Sequence, residues 1–493
     1  KCFWDAGVSK NTLQYVPCPG ALAGEHLIAN KDVDFVILTG GEDTAYSMLE
    51  TRPDLFLTAE TGGKDATIVT NMADREQAVK NVCQSAFGNS GQKCSATSLL
   101  VLEDEVYEDK GFRKALIDTA NSMSVGSIWD FGNRIGTLAS KVSGNLEQAL
   151  NRLDNGEEWA LKPEYVNNNP YMLKPAIRWG VKEGNFCHMN ELFGPVLSVM
   201  KASDLEHAVK IVNDTGYGLT SGIESLDERE VSYWKDNLKA GNLYVNRGTT
   251  GAIVLRQPFG GMGKSAIGAG RKAGFYNYIT QFVNFKEVSH PKVSKIYRTD
   301  LTQFIGQCKT ISEHKDTFAK LDVALQSYLE NYEKEFSVEK DYANVRGEDN
   351  HFRYIPLKNV VIRVEKSDNL FDTVARVLAA RVSKVNFKVS INKNDEVKNF
   401  LENAKELFIS NDSLIEEDDI AFAQTLKDFE RIIYSNINKV PDIIFKKASQ
   451  TVTFIIRQKP MMDGRLELLN YFEEQSISHS FHRYGNIGAR GIE

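Results

Sequence analysis

The chain has 493 residues, 42% hydrophobic and 25% charged, a composition typical of a globular protein of about two to four domains. Its formal net charge is -7, and the acidic and basic residues are interspersed, which argues against a nucleic-acid partner and favours a small-molecule substrate. No apolar run approaches the roughly 20 residues that cross a bilayer, so we expect no transmembrane segment, and the scattered cysteines fit a reducing cytoplasm.

The six cysteines are scattered along the chain without a C-x-x-C pair, which predicts neither a metal site nor a disulfide framework. The sequence opens at Lys1 in what reads as the middle of a domain. We therefore expect a fold that is truncated at its N-terminus and belongs to a longer polypeptide.

The first part of the chain, residues 1–289, alternates short β-branched runs with amphipathic stretches and glycine clusters. This alternation predicts an α/β fold with parallel strands. Buried strands are predicted at 34–40, 65–70 and 97–103, and a helix is predicted at 73–88.

The turn that follows the first predicted strand, in "LTGGEDTAYSML", is a candidate phosphate-binding turn. Thr39, Gly40 and Gly41 can bring backbone amides and a helix N-terminus to a pyrophosphate. A tight strand-to-helix turn without a ligand accounts for the same residues.

Cys94, in "GNSGQKCSATS", is the candidate nucleophile. Small flanking residues leave room for a substrate, and Lys93 adds positive charge, although a buried structural cysteine is the common alternative. None of the eight histidines forms a recognisable local signature with this cysteine. The candidate base is Glu60, which precedes Gly62 and Gly63 at the mouth of a predicted strand.

The rest of the chain changes character after residue 289. Residues 290–346 are rich in Lys and Glu, and an amphipathic helix is predicted at 318–336. Residues 347–493 resemble a second, smaller Rossmann-like α/β domain, with predicted strands at 359–365, 385–390, 441–445 and 451–458 and a predicted helix at 371–383.

Four motifs in register, "AETGGKDATIV", "GQKCSA", "ELFGPV" and "PFGGMGKS", resemble the catalytic half of the aldehyde dehydrogenase superfamily. Within it, "NRGTTGAIVLRQPFGG" is similar to the L-glutamate γ-semialdehyde (1-pyrroline-5-carboxylate) dehydrogenases, and above all to the dehydrogenase module of the bifunctional proline utilisation A family. The resemblance implies aldehyde dehydrogenase-like parallel and mixed sheets flanked by helices.

The same resemblance implies an NAD-dependent oxidation through a cysteine thiohemiacetal and thioester. Cys94 would be the nucleophile, and Glu60 would activate the water that hydrolyses the thioester. Glu191 would bind the nicotinamide ribose, and Phe193 would pack near the nicotinamide. Taken alone, Glu191 would be interpreted as a solvated surface acid.

Substrate selection is also implied by the resemblance. The α-carboxylate of glutamate semialdehyde would be held by Ser95 and by the amides of Gly251 and Ala252, with Phe259 against the aliphatic chain. The alternative is that Ser95 is filler and that residues 248–252 form an ordinary flexible loop.

The implied domain organisation divides the chain into a remnant of the NAD-binding domain at 1–60, a catalytic domain at 61–260, a return to the cofactor and oligomerisation region at 261–289, a helical connector at 290–346, and a non-catalytic aldehyde dehydrogenase-like domain at 347–493. The ending "HRYGNIGARGIE" would be a terminal lid motif.

An upstream proline dehydrogenase domain of the same polypeptide would carry FAD, and a homo-oligomer is left open. Two other interpretations stand beside this one: an aldehyde dehydrogenase for another substrate, and a catalytically silent scaffold that lacks the adenosine-binding half.

Overall fold

A computed structural model describes residues 1–311, 313–409 and 412–481. The terminal motif predicted at 482–493 lies outside these residues. The strands are β1 (Phe35–Thr39), β2 (Phe56–Glu60), β3 (Ala66–Val69), β4 (Leu99–Glu103), β5 (Glu158–Leu161), β6 (Ala176–Val181), β7 (Val196–Ala202), β8 (Tyr217–Gly218), β9 (Thr220–Glu224), β10 (Asn242–Val245), β11 (Met262–Gly263), β12 (Ala266–Ile267), β13 (Lys340–Asp341), β14 (Glu348–Pro356), β15 (Asn359–Val364), β16 (Asn386–Ile391), β17 (Ser413–Glu416), β18 (Arg431–Ile433), β19 (Phe454–Ile456) and β20 (Phe472–Ser480).

The α-helices are α1 (Cys2–Asp5), α2 (Gly20–Ala23), α3 (Glu42–Thr51), α4 (Arg75–Phe87), α5 (Asp104–Glu108), α6 (Lys110–Ser122), α7 (Gly144–Asn151), α8 (Phe186–Met189), α9 (Leu205–Asp214), α10 (Glu228–Asn237), α11 (Asp300–Ile311), α12 (Lys315–Asn331), α13 (Leu370–Ser383), α14 (Asp395–Asn403), α15 (Asp419–Gln424), α16 (Asp442–Thr451) and α17 (Gly464–Glu467). Within the described part of the chain, no helix combines the length and the apolarity that a membrane crossing requires.

The largest sheet has, among the described residues, the strand order β13-β14-β20-β10-β9-β3-β4-β7-β6-β5. Its strands from β20 to β6 are parallel, and antiparallel strands close both edges. Strand β4 is buried along its whole length because its alternate side chains enter separate cores on the two faces of the sheet. Helix α9 packs against one face and α4 against the other.

The predicted strands at 34–40, 65–70 and 97–103 and the predicted helix at 73–88 are confirmed as β1, β3, β4 and α4. Helix α4 begins where the Asp74 carboxylate accepts a hydrogen bond of 3.0 Å from the Gln77 amide. The mixed and parallel sheets flanked by helices agree with the predicted fold class.

A smaller sheet holds β1 and β2, which are parallel, and β12, which pairs antiparallel with β2. In this sheet Thr39 lies opposite Glu60. The carboxyl end of β1 therefore reaches the same edge of the sheet as the candidate base.

The C-terminal part contains a parallel sheet with the order β17-β16-β15-β18-β19. Chain order runs outward in both directions from β15, as in doubly wound Rossmann-like folds. Strands β15 and β16 and helix α13 confirm the predictions at 359–365, 385–390 and 371–383.

The predicted strand at 441–445 is wrong, because these residues begin helix α16 behind Pro441. Ile444, Phe445 and Ala448 are spaced to bury one helical face against the sheet, and a short apolar run does not by itself distinguish a strand from a buried helix. The amphipathic helix predicted at 318–336 is observed as α12 and one π-helical turn, Tyr332–Phe336.

Two strands of the C-terminal part belong to the large sheet. Strand β20 pairs in parallel with β10, so that Ser476 lies opposite Asn242, and β14 pairs antiparallel with β20. The domain limits at 60, 260, 289 and 346 stay predictions, and β14 and β20 carry residues from beyond the last limit into the sheet that bears the candidate nucleophile.

Candidate active site

Cys94 lies in the turn before β4 and is half-buried. Asn89, Ser90 and Gly91 precede it with consecutive positive φ angles of 55°, 58° and 65°. Gly91 is required here because a Cβ at this position would overlap the backbone of Gly194. The tight turn thus presents the sulfur at the amino end of β4, where it is neither sealed in the core nor fully exposed.

Glu60 is the last residue of β2 and is partly buried. Its Oε2 accepts a hydrogen bond of 2.9 Å from the Gly261 amide. Burial raises the pKa of Glu60 to about 7, while the charge of Lys272 and the Gly261 hydrogen bond act in the opposite direction. A carboxylate with this pKa can exchange protons near neutral pH, as a general base must.

The structure brings Cys94 and Glu60 together. Burial raises the pKa of the Cys94 thiol to about 11, and the nearby carboxylates of Asp65, Glu60 and Glu191 raise it further. A backbone hydrogen bond from Ser95 favours the thiolate. Because this thiol is largely protonated at neutral pH, an attack on a carbonyl needs a neighbouring base, and Glu60 is the candidate.

Glu191 is a partly buried acid beside this pair and not a fully solvated surface residue. Its Oε1 accepts a hydrogen bond of 3.2 Å from the Gly63 amide, and burial raises its pKa to about 7. Gly62 has a φ angle of 92°, and a Cβ there would overlap the Glu191 carboxylate. Phe193 is exposed, with a φ angle of 52°, and its carbonyl accepts a hydrogen bond from the Gln92 side chain.

The turn at Thr39, Gly40 and Gly41 joins β1 to α3, which begins directly after Gly41. The Gly40 amide donates a 3.1 Å hydrogen bond to the carbonyl of Glu60, so the turn adjoins the base. A Cβ atom added at Gly41 would have no neighbouring atom within 4 Å. The first helical turn contains Glu42 and Asp43, whose negative charge weakens the helix N-terminus as an anion site.

Ser95 is buried and ties the nucleophile turn to the loop that follows β10. Its carbonyl accepts a 2.9 Å hydrogen bond from the Thr249 hydroxyl. Beyond Thr249, Gly251 and Ala252 are exposed, and Gly251 has a φ angle of 88°. Phe259 is half-buried, and its backbone pairs with Ala273.

Three charged residues near the site were missed by sequence reasoning: Lys64, Asp65 and Lys272. The Asp65 carboxylate is buried and accepts a 2.7 Å hydrogen bond from the Thr220 amide, and burial raises its pKa well above the usual range. Burial lowers the pKa values of both lysines to about 8. The pair "KD" at the entry to a buried strand is a detectable signal, whereas nothing local marks Lys272.

These residues fit the nicotinamide end of a dinucleotide. The Gly63 amide fixes Oε1 of Glu191, and the absence of a Cβ at Gly62 leaves space for its Oε2. In the part of the chain that the structure describes, no cluster of three or more His, Cys, Asp or Glu side chains could hold a metal ion.

The C-terminal sheet has the corresponding crevice, at the carboxyl ends of β15 and β18, but a carboxylate occupies it. Asp368 accepts hydrogen bonds from Ser435, from Lys439 and, at 2.7 Å, from the Glu365 amide. A negative charge before α13 opposes a pyrophosphate at this place.

Comparison with known proteins agrees with this geometry. The model of the aldehyde dehydrogenase family matches residues 1–288. The 1-pyrroline-5-carboxylate dehydrogenase of Bacillus subtilis (strain 168) is 33% identical over 294 residues, and that of Bacillus cytotoxicus is 32% identical over 296. Each alignment covers 58% of this chain and 56% of the relative.

Two solved structures extend the comparison. Proline utilization A from Corynebacterium freiburgense has a TM-score of 0.83 at 33% identity, covering 98% of this chain and 45% of that chain. 1-Pyrroline-5-carboxylate dehydrogenase from Thermus with bound NAD has a TM-score of 0.51 at 31% identity, covering 57% of this chain and 55% of that chain. The chain spans about half the length of these relatives, and it belongs to the aldehyde dehydrogenase family.

Proposed function

We propose that this chain carries the nucleophile and the general base of an NAD-dependent L-glutamate γ-semialdehyde dehydrogenase, which oxidises the semialdehyde to L-glutamate. The observation that supports this most strongly is the convergence of Cys94, Glu60 and Glu191 on one half-buried site. The relatives named 1-pyrroline-5-carboxylate dehydrogenase support the same substrate.

In the first step Glu60 accepts the thiol proton of Cys94, and the sulfur bonds to the aldehyde carbon. The carbonyl oxygen gains negative charge, which the backbone N–H of Cys94 can stabilise. Glu60 then releases its proton to solvent, which a pKa of about 7 permits near neutral pH.

NAD, when bound with its ribose at Glu191, supplies the acceptor for the hydride that leaves this carbon and converts it to a thioester. Phe193 would pack near the nicotinamide, and Thr39, Gly40 and Gly41 would hold the pyrophosphate. Glu60 next takes a proton from water, the water oxygen bonds to the thioester carbon, and the carbon–sulfur bond breaks. Glutamate leaves, and Cys94 regains its proton.

The substrate's α-carboxylate is held by the Ser95 hydroxyl and by the Gly251 and Ala252 amides, with Phe259 against the methylene groups. The Ser95–Thr249 hydrogen bond supports this assignment because it couples the loop to the nucleophile turn. Specific donors at the carboxylate would discriminate against simple aliphatic aldehydes.

A proline dehydrogenase domain of the same polypeptide, which uses FAD, supplies the 1-pyrroline-5-carboxylate that water opens to the semialdehyde, in a cytoplasmic enzyme. The coverage of 45% of the Corynebacterium freiburgense proline utilization A chain supports a bifunctional setting. In this setting residues 347–493 form the non-catalytic domain, and Asp368 excludes a second dinucleotide.

The test is NADH formation by the complete protein with glutamate semialdehyde and, separately, with simple aliphatic aldehydes. Cys94→Ala should abolish NADH formation, whereas Cys308→Ala, which removes another half-buried cysteine from helix α11, should retain it. Undiminished activity of the Cys94 variant would refute the proposal. A preference for aliphatic aldehydes would refute the assigned substrate alone.

A further inference from the structure

The amide that binds Glu60 belongs to a peptide group that also binds a buried lysine. The Gly261 N–H donates to Glu60 Oε2 at 2.9 Å, and the Gly260 carbonyl of the same peptide accepts a hydrogen bond from Lys272 Nζ. A hydrogen bond at the carbonyl polarises the amide at the other end of the peptide group. Lys272 thus acts on the Glu60 carboxylate through this peptide and through its own charge.

Lys272 has little freedom to leave this position. It is 1% exposed, and Gly241 adjoins its ammonium so closely that a Cβ at Gly241 would overlap both Nζ and the Gly260 carbonyl. The buried amide of Asn242 accepts a 3.1 Å hydrogen bond from Gly260 N–H and donates a 2.8 Å bond to the Pro258 carbonyl. The segment 258–261, whose Gly260–Gly261 peptide contacts both Glu60 and Lys272, is therefore also held in place by Asn242.

The C-terminal strand β20 fixes the backbone of Lys272. Glu474, which is 1% exposed, accepts a 2.8 Å hydrogen bond from the Lys272 backbone amide, and its other oxygen accepts one of 2.8 Å from Asn277. Ser476, two residues along the strand, accepts a 2.7 Å bond from Asn242. One strand from the second half of the chain thus positions both the lysine and the loop.

We propose that Lys272 is the positioning residue of the general base, orienting the Glu60 carboxylate through the Gly260–Gly261 peptide and favouring its ionised form. This role rests on the proposed function of Glu60 and deepens it. It also gives strand β20 a part in the chemistry, because Glu474 and Ser476 fix the segments that carry the lysine and the peptide.

The charges around Glu60 and Lys272 favour the ionised form of both residues. The charge of Lys272 lowers the pKa of Glu60 against the effect of burial, and Glu60, Glu474 and Glu473 favour the charged form of Lys272 against the same effect. The titratable groups that face Glu60 are Lys272, Cys94 and Tyr278. Of these, Lys272 alone is a cation that supports the carboxylate.

The test is the pH dependence of thioester hydrolysis in the complete protein, measured in single turnovers for the unsubstituted enzyme and for Lys272→Met, which preserves side-chain length. The inflection that reports Glu60 should move to higher pH by about one unit, so that hydrolysis below it slows about tenfold. Lys264→Met is the matched control, since Lys264 is an exposed lysine of the same segment that bonds the Thr215 carbonyl. Its inflection should not move.

A second readout does not depend on turnover. The carboxyl stretching band of protonated Glu60, isolated by subtracting the Glu60→Gln infrared spectrum, should disappear at a higher pH in Lys272→Met. Coinciding titrations in the two proteins would overturn the inference. If the unsubstituted enzyme does not oxidise the semialdehyde, the proposed function fails while this titration still decides the role of Lys272.

Should Lys272→Met fail to fold, Glu474→Gln carries the same test. Removing the Glu474 charge destabilises the Lys272 cation, and the Glu60 titration should move in the same direction by a smaller amount. A shift to lower pH would contradict the proposed arrangement.

Discussion

Glu60→Gln is expected to stabilise the fold while it removes the proposed general base. Burial raises the pKa of Glu60 from its ordinary 4.5 to about 7. Glu60 therefore ionises at a higher pH in the folded protein than in the unfolded chain. Because each tenfold change in proton affinity is worth about 1.4 kcal/mol, the full difference is roughly 3 kcal/mol. Partial exposure of the side chain reduces the expected gain to about 1–3 kcal/mol.

The gain must depend on pH. Stability of the unsubstituted protein falls as pH rises from 4.5 to 7, where Glu60 is ionised in the unfolded chain but protonated in the fold, and it stays lower above pH 7. The Gln variant does not titrate at this position. The difference in melting temperature should therefore be small at about pH 5 and reach a few degrees at about pH 8.

The assay is thermal unfolding of both proteins across this pH range, with single-turnover hydrolysis measured on the same samples. Thioester formation and hydrolysis should both slow in the Gln variant, hydrolysis by about 100-fold or more, because Glu60 takes a proton in each of these steps. A melting-temperature difference that is constant from about pH 5 to about pH 8 would refute the reasoning, because it would mean that Glu60 titrates alike in the folded and unfolded chains.

Two further predictions concern Gly62 and Asp368. Gly62→Ala should weaken NAD binding measured by calorimetry, because the new Cβ displaces the Glu191 carboxylate; Gly184→Ala, at a φ angle of 78° with open space around it, shares only the backbone strain of about 1 kcal/mol and should bind NAD normally. Asp368→Ala should lower the free energy of unfolding of the C-terminal sheet by about 1–3 kcal/mol, because the buried Ser435 hydroxyl and the Lys439 ammonium lose their acceptor. Semialdehyde oxidation should not change, and loss of turnover in a folded variant would contradict a purely structural role.

Local patterns correctly predicted two strands of the largest sheet, β3 and β4, and the helix α4 that packs against it. Strands β3 and β4 read as apolar runs because both of their faces are buried, and α4 reads as a helix because its apolar residues recur at helical spacing. The pairing of Cys94 with Glu60 came from motif resemblance, since a cysteine among small residues has no signature of its own.

The failure at 441–445 has a physical cause. Five residues do not establish a period, and the burial of Ile444 and Phe445 on one helical face follows from the sheet against which they pack. The protonation states of the site residues could not be predicted from the sequence either. Glu60 and Glu191 are ordinary acids in the sequence, and only burial in the folded chain raises their pKa values.

The sequence by itself marked the candidate nucleophile, the candidate base and the glycines beside them, because motif resemblance and glycine placement depend on residue type and short-range order. Only the tertiary structure decided that strand β20 enters the largest sheet. There the Glu474 carboxylate accepts a hydrogen bond from the backbone amide of Lys272, 202 residues away along the chain. Hydrogen-bond pairing at that separation depends on how the sheets pack, and no local period encodes it.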